Sequence, residues 1–191
     1  FSFRFDEAAL DMRMNSSADL SAHEVLNEYP QHELVRVLRE YGEVKQAVAV
    51  ARSICSYRKS KTIDKVADLE HALVNYLQVK TKNKQLAQIY QAVRIEVNGE
   101  IAALEDMLLQ SVQLIKPGGR LVLMSYHSLE DRLVKNLIQS GNLSGERHTD
   151  EFGQLDLAFK AVNKKPIVAN SAELQSNPRS RSAKLRIAER I

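Results

Sequence analysis

The sequence predicts an α/β chain, helical first and sheet-bearing last. Three observations predict it. From Ser21 to about Ile115 the apolar side chains recur at helical spacing. After Lys116-Pro117-Gly118-Gly119 they gather into short apolar runs bounded by turn residues, the pattern of buried strands. The composition, 44% hydrophobic and 27% charged over 191 residues, is that of an ordinary globular chain of one domain or a little more. It excludes wholesale disorder, a collagen-like repeat and a disulfide scaffold.

The elements follow in order. Phe1 to Asn15 reads as an irregular or short extended lead-in, with Leu10, Met12 and Met14 alternating around Asp11 and Arg13. Ser21 and Glu24 have capping-box spacing and open a short helix to about Tyr29. Pro30 sits near the start of a second helix that places Leu34, Val37, Leu38 and Tyr41 on one face, with Gly42 as its stop. A third carries Val44, Ala47, Val48, Ala51, Ile54 and Cys55 and ends near Lys59. Thr62 is the expected cap of a fourth, with Val66, Leu69, Leu73 and Tyr76. Four amphipathic segments with short joins predict a compact all-α subdomain.

Helical periodicity then runs from about Asn83 to Ile115, which is long for a globular helix. Gly99 weakens it by roughly 1 kcal/mol relative to Ala. Lys116-Pro117-Gly118-Gly119 stops it, and Arg120 to Tyr126 is the first strand. Ser128 and Asp131 have capping-box spacing for a following helix with Leu133, Val134, Leu137 and Ile138 apolar. Ser140 to Gly153 is a polar loop. Leu157 to Val162 and Ala183 to Ala188 are the remaining strands, separated by a polar stretch around Asn177-Pro178. A doubly wound sheet typically has about five strands or more. Some three are found, so the sheet reads as one half of a larger one.

Several function classes are excluded. Gly is 7 of 191 and no GxG occurs, so the chain encodes neither a P-loop nor a GxGxxG cofactor loop. Cys55 is the only cysteine, and the five His (23, 32, 71, 127, 148) form no HxxxH pair, so neither a disulfide nor a metal site is expected. No apolar run approaches the ~20 residues of a membrane span. Phe1 to Asp6 lack the layout of a signal peptide, and with no initiator Met the chain is expected to start partway through a gene product. A reducing cytoplasm is the expected location. The net charge is +3, but Asp156 to Ile191 hold eight Lys and Arg against three Asp and Glu. The C-terminal end is thus a basic patch on a near-neutral body, which points to phosphate-bearing partners.

Helix, Lys-Pro-Gly-Gly and apolar strand in succession are common in class I methyltransferases before their fifth strand, and equally form a plain helix-to-strand turn. Four blocks sharpen the reading: Leu10-Asp11-Met12-Arg13-Met14, then Gln91-Ala92-Val93-Arg94-Ile95-Glu96-Val97-Asn98, then Ser125-Tyr126-His127-Ser128-Leu129-Glu130-Asp131-Arg132-Leu133-Val134-Lys135, and finally Asn177-Pro178-Arg179-Ser180-Arg181-Ser182-Ala183-Lys184-Leu185-Arg186. In their order and spacing, over essentially the whole chain, they resemble the bacterial 16S ribosomal RNA cytosine-N4 methyltransferase family.

The resemblance implies the C-terminal part of a class I, Rossmann-like methyltransferase sheet with an all-α subdomain inserted after the fourth strand. The partition it implies is a lead-in over 1–19, a helical insert over 20–82, and a long helix with the last strands over 83–191. It implies an S-adenosylmethionine-dependent enzyme acting on a cytosine amine of 16S rRNA in the small ribosomal subunit. The family's Gly-Gly-His cofactor loop, acidic ribose ligand and Asp-Leu-Gly strand end would all lie upstream of Phe1. The cofactor is then held mainly by that N-terminal half, and the 191 residues alone are expected to be inactive. No membrane partner is expected, and a homodimer is left open. Two local departures bear on turn and substrate contacts: Ala8-Ala9 stands where the family usually has Gly-Pro, and Lys84-Gln85-Leu86-Ala87-Gln88 where many members have His-Pro-Ala-Thr-Arg.

The chemistry sets requirements. The lone pair of a cytosine amine is delocalised into its ring, so methylation needs the nitrogen pyramidalised, its proton accepted, and the reacting atoms held in line. Acceptors at the C-terminal ends of strands suit this, because open α/β sheets place ligands there. Ser125 and His127 are therefore the candidate catalytic residues, His127 as acceptor or relay of the amine proton near pH 7. His127 could equally orient its turn, and Ser128, Glu130 and Asp131 read chiefly as cap residues of the following helix. Candidate RNA contacts are Arg94 and Asn98 on one helix face, Arg132 and Lys135 one turn apart, and Arg179, Arg181 and Lys184 in and after the Ser/Asn/Pro loop. Met12 and Met14 read as core. The rival reading is a non-catalytic RNA-binding or ribosome-assembly module. An amino-methyltransferase acting on DNA is weaker, because its Asn/Asp-Pro-Pro-Tyr signature does not occur.

Overall fold

The structure, a computed structural model, describes residues 9–149 and 151–191. The first eight residues of the expected lead-in lie outside it. The elements are α1 (Ala22–Glu28), α2 (Gln31–Glu40), α3 (Ala47–Tyr57), α4 (Val66–Ala72), α5 (Lys82–Asn98), α6 (Glu100–Leu114), β1 (Arg120–Ser125), α7 (Ser128–Ser140), β2 (Phe159–Ala161), α8 (Ser171–Ser176), a 3-10 turn (Pro178–Ser182) and β3 (Lys184–Arg190). They divide into two compact units, one ending at Glu100 and the other beginning at Ile101.

The first unit is helical. The capping box at α1 forms: the Ser21 N–H donates to Glu24 at 2.7 Å and the His23 N–H to the Ser21 hydroxyl at 3.1 Å. This satisfies amides that a helix start otherwise leaves unpaired. Leu26, Leu34, Leu38, Ile54, Ile63, Leu69, Leu73 and Leu86 are fully buried in one apolar cluster, so the predicted faces of α1 to α5 meet.

Two sequence expectations shift. Helix α4 starts after Lys65 rather than Thr62. The buried Asp68 carboxylate accepts from the Asp64 and Lys65 N–H groups at 3.2 and 3.0 Å, with the Lys61 ammonium 2.6 Å away, and this fixes the start three residues later. The long helix is two helices, because Gly99 adopts φ 58 and caps α5 in the left-handed conformation that a residue without Cβ takes at little cost. Gly42 stops α2 for a different reason: a Cβ there would lie 2.8 Å from the Gln88 carbonyl oxygen, where the chain passes α5.

The second unit is α/β. Its antiparallel sheet has the order β1-β3-β2. Arg120 to Ser125 pair with Glu189 to Lys184, and Phe159 to Ala161 with Arg190 to Ala188. Side chains alternate across a strand. Leu121, Leu123, Phe159 and Ala188 face a cluster with Leu108 of α6 and Val134, Leu137 and Ile138 of α7. The expected strands at 120–126, 157–162 and 183–188 thus appear with each end within two residues. Helix α8 and the 3-10 turn fill the polar stretch around Asn177-Pro178.

Phe159 has no exposed surface. Phe159→Ala is expected to cost about 3–5 kcal/mol, the usual range for emptying a packed aromatic site. Urea unfolding followed by circular dichroism checks this; a loss under about 1 kcal/mol would mean that the cluster repacks.

Candidate functional site

Strand β1 ends at Ser125, and two residues later the chain turns into α7. The helix takes His127 as N-cap residue and Glu130 as its third residue, not the Ser128 and Asp131 pair read from sequence. Glu130 Oε2 accepts the N–H of Tyr126 at 2.8 Å and that of His127 at 3.4 Å, which closes the turn. Shifting the cap by one residue turns Asp131 inward. Its carboxylate is buried and accepts a two-pronged guanidinium: Arg186 Nε to Oδ1 at 2.7 Å and Nη2 to Oδ2 at 3.1 Å. Lys184 Nζ donates to the same Oδ2 at 3.1 Å. Arg186 and Lys184 are two apart on β3, so both reach the α7 side of the sheet.

Both carboxyls ionise more readily than usual. Burial pushes Asp131 up, but the hydrogen bonds and charges of Arg186 and Lys184 outweigh it and hold it below the ordinary value. Burial likewise pushes Glu130 up, and the His127 ring with the Tyr126 amide brings it below. The His127 ring is nearly covered, with 12% of its side chain exposed. Its Nε2 stands 3.2 Å from Glu130 Oε1, but out of line for a hydrogen bond. Neither ring nitrogen has an aligned partner among the described residues. Buried polar atoms are rarely left so, because an unmet donor or acceptor costs about 1–3 kcal/mol.

The structure gathers three predicted residues at this end of the sheet. Ser125 pairs in register with Lys184, and its buried hydroxyl makes a long 3.4 Å hydrogen bond to the Lys184 carbonyl. His127 follows. Arg132 lies exposed on α7, with Lys135 half-buried one turn on. Arg179 and Arg181 stand exposed on the 3-10 turn, anchored by the buried Ser180, whose hydroxyl donates to the Asn177 carbonyl at 2.7 Å. Neither pairs with a carboxylate among the described residues.

Arg94 and Asn98 belong to the other unit and have partners within it. Arg94 forks onto Glu100 with both bonds at 2.9 Å. Asn98 donates to the Met12 carbonyl at 2.9 Å and accepts the Met14 N–H at 2.8 Å, clamping a turn in which Met12 takes φ 62. Met12 is buried in the core as expected, whereas Met14 is 68% exposed.

Asp131 and Arg186 were missed as a pair. The available signal was an Arg between Leu185 and Ile187, two residues before the inward Ala188 and so on the same face of the strand. Asn163 was missed too: it accepts the Ile187 N–H at 2.7 Å and donates to the Leu185 carbonyl at 3.2 Å, finishing the sheet where β2 stops.

The described residues hold no cluster of His, Cys, Asp and Glu that could bind a metal, and no helix long and apolar enough to cross a membrane. Nor does the strand end fit an adenosyl cofactor. A ribose needs a carboxylate to accept its hydroxyls, and both carboxylates here are committed, one to α7 amides and the other to Arg186 and Lys184. The one Gly-Gly step, Gly118-Gly119, lies at the opposite end of β1, where its amides bond Arg190 and Lys116 carbonyls.

The described residues thus form a helical unit and an α/β unit, the second with polar groups gathered at a strand end. The chain matches the MraW methylase family over residues 1–191 and belongs to it. Curated relatives named ribosomal RNA small subunit methyltransferase H are 46% identical over 190 residues in Bacteroides thetaiotaomicron and 49% over 191 in Flavobacterium johnsoniae. One in Christiangramia forsetii is 50% identical over 191 residues. Each match covers the whole of this chain but 62–63% of the relative.

The two depressed carboxyl values have a consequence for stability. A carboxyl that ionises at lower pH in the folded state stabilises fully above its unfolded value, about pH 4, and loses that contribution as the pH falls. Replacing the pair by a neutral one, Asp131→Asn with Arg186→Gln, is expected to flatten the fall in stability as the pH drops below about 4. Chemical denaturation across that range checks it; an unchanged slope would show that Asp131 titrates alike in both states.

Proposed function

We propose that this chain works, as part of a longer protein, in methylating the exocyclic N4 amine of a cytosine in 16S ribosomal RNA of the small subunit, in the cytoplasm. S-adenosylmethionine supplies the methyl group, held mainly by residues outside these 191. The observation that carries the reading is the nearly covered His127 ring at the C-terminal end of β1, whose nitrogens have no aligned hydrogen bond among the described residues although Glu130 Oε1 stands 3.2 Å from Nε2, in a chain of the MraW methylase family. An amine N–H of the target base is the kind of partner such a ring nitrogen lacks, and accepting that proton is what amine methylation requires. Ser125, whose buried hydroxyl is bonded to the Lys184 carbonyl, shapes the strand end beside it. The glycine-poor sequence and the committed carboxylates support a cofactor seat elsewhere.

The sheet reads as the C-terminal part of a Rossmann-like one. Strand β1 is its edge, and Val122, Met124 and Tyr126 on the face away from α7 are 54–56% exposed. Leu185 and Ile187, their neighbours on β3, continue that face, with Ile167 half exposed alongside. An edge strand beside an apolar face is normally covered in a soluble protein, and the greater length of the relatives supports further strands there. Residues 20–82 form the helical insert in this reading. Arg132, Lys135, Arg179 and Arg181 meet RNA phosphates, the last two from the exposed turn before β3.

In the full-length protein, His127→Ala is expected to lower kcat by about 10²–10⁴-fold, the usual worth of a general acid or base, with little change in RNA or cofactor affinity. Single-turnover methylation of small-subunit RNA checks this. A change within threefold would leave His127 a helix-cap residue only, and no methylation by the unsubstituted protein would favour the non-catalytic RNA-binding module. Arg179→Ala with Arg181→Ala should weaken RNA binding and lower the log–log salt slope by roughly 0.7–0.9 per lost contact. An unchanged slope would place RNA binding elsewhere.

A further inference from the structure

One carboxylate at the strand end answers two cations. Asp131 gives both oxygens to the Arg186 fork, a bidentate pair that meets its charge and geometry by itself. Lys184 is then a second cation on Oδ2, at 3.1 Å. The two differ in burial: the Arg186 side chain is 9% exposed and the Lys184 side chain 40%. Arg186 is the fixed partner, sealed beneath α7, while the Lys184 ammonium keeps an open side. Glu130, the other carboxylate of this turn, is taken up by the amides that open α7. The trio of Asp131, Arg186 and Lys184 therefore carries one positive charge in excess at the C-terminal end of β1, and of its two cations the Lys184 ammonium is the more exposed. Lys184 pairs in register with Ser125, two residues before His127.

We propose that Asp131 is a positioning residue: already neutralised by Arg186, it holds the Lys184 ammonium at the end of β1 as the seat of one phosphodiester of the RNA, next to the base presented to His127. The proposal rests on the RNA reading above and adds a division of labour. A lysine on a four-carbon stem is free in rotation, and anchoring it in advance lowers the entropic cost of each contact it makes. Arg179 and Arg181 have no such anchor, so they hold RNA without fixing its position. The Lys184 contact, anchored beside the reacting base, fixes where that base sits.

Four forms of the full-length protein test this against transcribed small-subunit rRNA: unsubstituted, Lys184→Gln, Lys184→Arg, and Asp131→Asn with Arg186→Gln. Salt dependence of binding, melting temperature and single-turnover methylation are measured for each. Lys184→Gln should lower the log–log slope by roughly 0.7–0.9, one phosphate's worth, and slow methylation at saturating RNA. Its melting temperature should hold, because Asp131 keeps Arg186. Lys184→Arg should restore the slope. The neutral pair keeps Lys184 yet removes its anchor, and should lose slope and rate as Lys184→Gln does. A lowered melting temperature with an unchanged slope in Lys184→Gln overturns the proposal, as does a full slope in the neutral pair. Should that pair not fold, Lys184→Gln and Lys184→Arg decide alone. Failure of the unsubstituted protein to bind the RNA overturns the RNA reading itself, and the proposal with it.

Discussion

The buried Asp131 carboxylate is the constraint on which the α/β unit depends. A charge removed from water is costly unless paired and hydrogen-bonded, and Asp131 is answered from β3, by Arg186 and Lys184. That requirement ties the first turn of α7 to a strand more than fifty residues further along the chain. It also fixes the register of β3, since a slip of one residue would turn both cations to the other face. Beyond this polar end the interface is apolar and less directional: Val134, Leu137 and Ile138 against Phe159 and Ala188.

The rest of the strand end follows from that tie. With Asp131 committed inward, the cap falls to Glu130, which closes on the Tyr126 and His127 amides. The closed turn leaves the His127 ring beside Glu130 but misaligned with it, so its nitrogens stay unpaired. Natural proteins keep such local inconsistencies where function needs them. The first unit contains a second case. Asn98 holds Met12 in a left-handed conformation that an unbranched side chain adopts only under constraint, with the Asp11–Arg13 ion pair at 2.8 Å bracing the same turn.

Much of this was legible in the sequence. Ser21 and Glu24 marked the first helix, the apolar positions of α2 to α5 marked their buried faces, and Lys116-Pro117-Gly118-Gly119 marked the change from helix to strand. These signals are local, carried by backbone conformation and side-chain period. What escaped was long-range or single-residue in scale. Asp131 and Ser128 have the same capping spacing as Glu130 and His127, and only the partner on β3 decides between them. Thr62 is as good a cap as any until Asp68 closes on the amides of Asp64 and Lys65. Arg94 and Asn98 lie four apart on one face as read, but Arg94 is held by Glu100 and Asn98 by the distant Met12–Met14 turn. The basic count near the C-terminus was correct as arithmetic, yet it merged side chains in three different settings. Arg186 is structural and buried, Lys184 is shared, and Arg179 and Arg181 are exposed.

The central proposal is that the strand end holds the His127 ring without an aligned hydrogen bond until RNA supplies one. Nitrogen NMR of 15N-labelled imidazole in the full-length protein tests it directly, with spectra taken before and after addition of small-subunit RNA and an inert cofactor analogue. The account predicts that the His127 ring resonances alone, among the five histidines, move to hydrogen-bonded values when both are present, and that the move is lost with RNA lacking the target cytosine. His127 resonances that are already hydrogen-bonded in the free protein, or that do not respond to RNA, would contradict it.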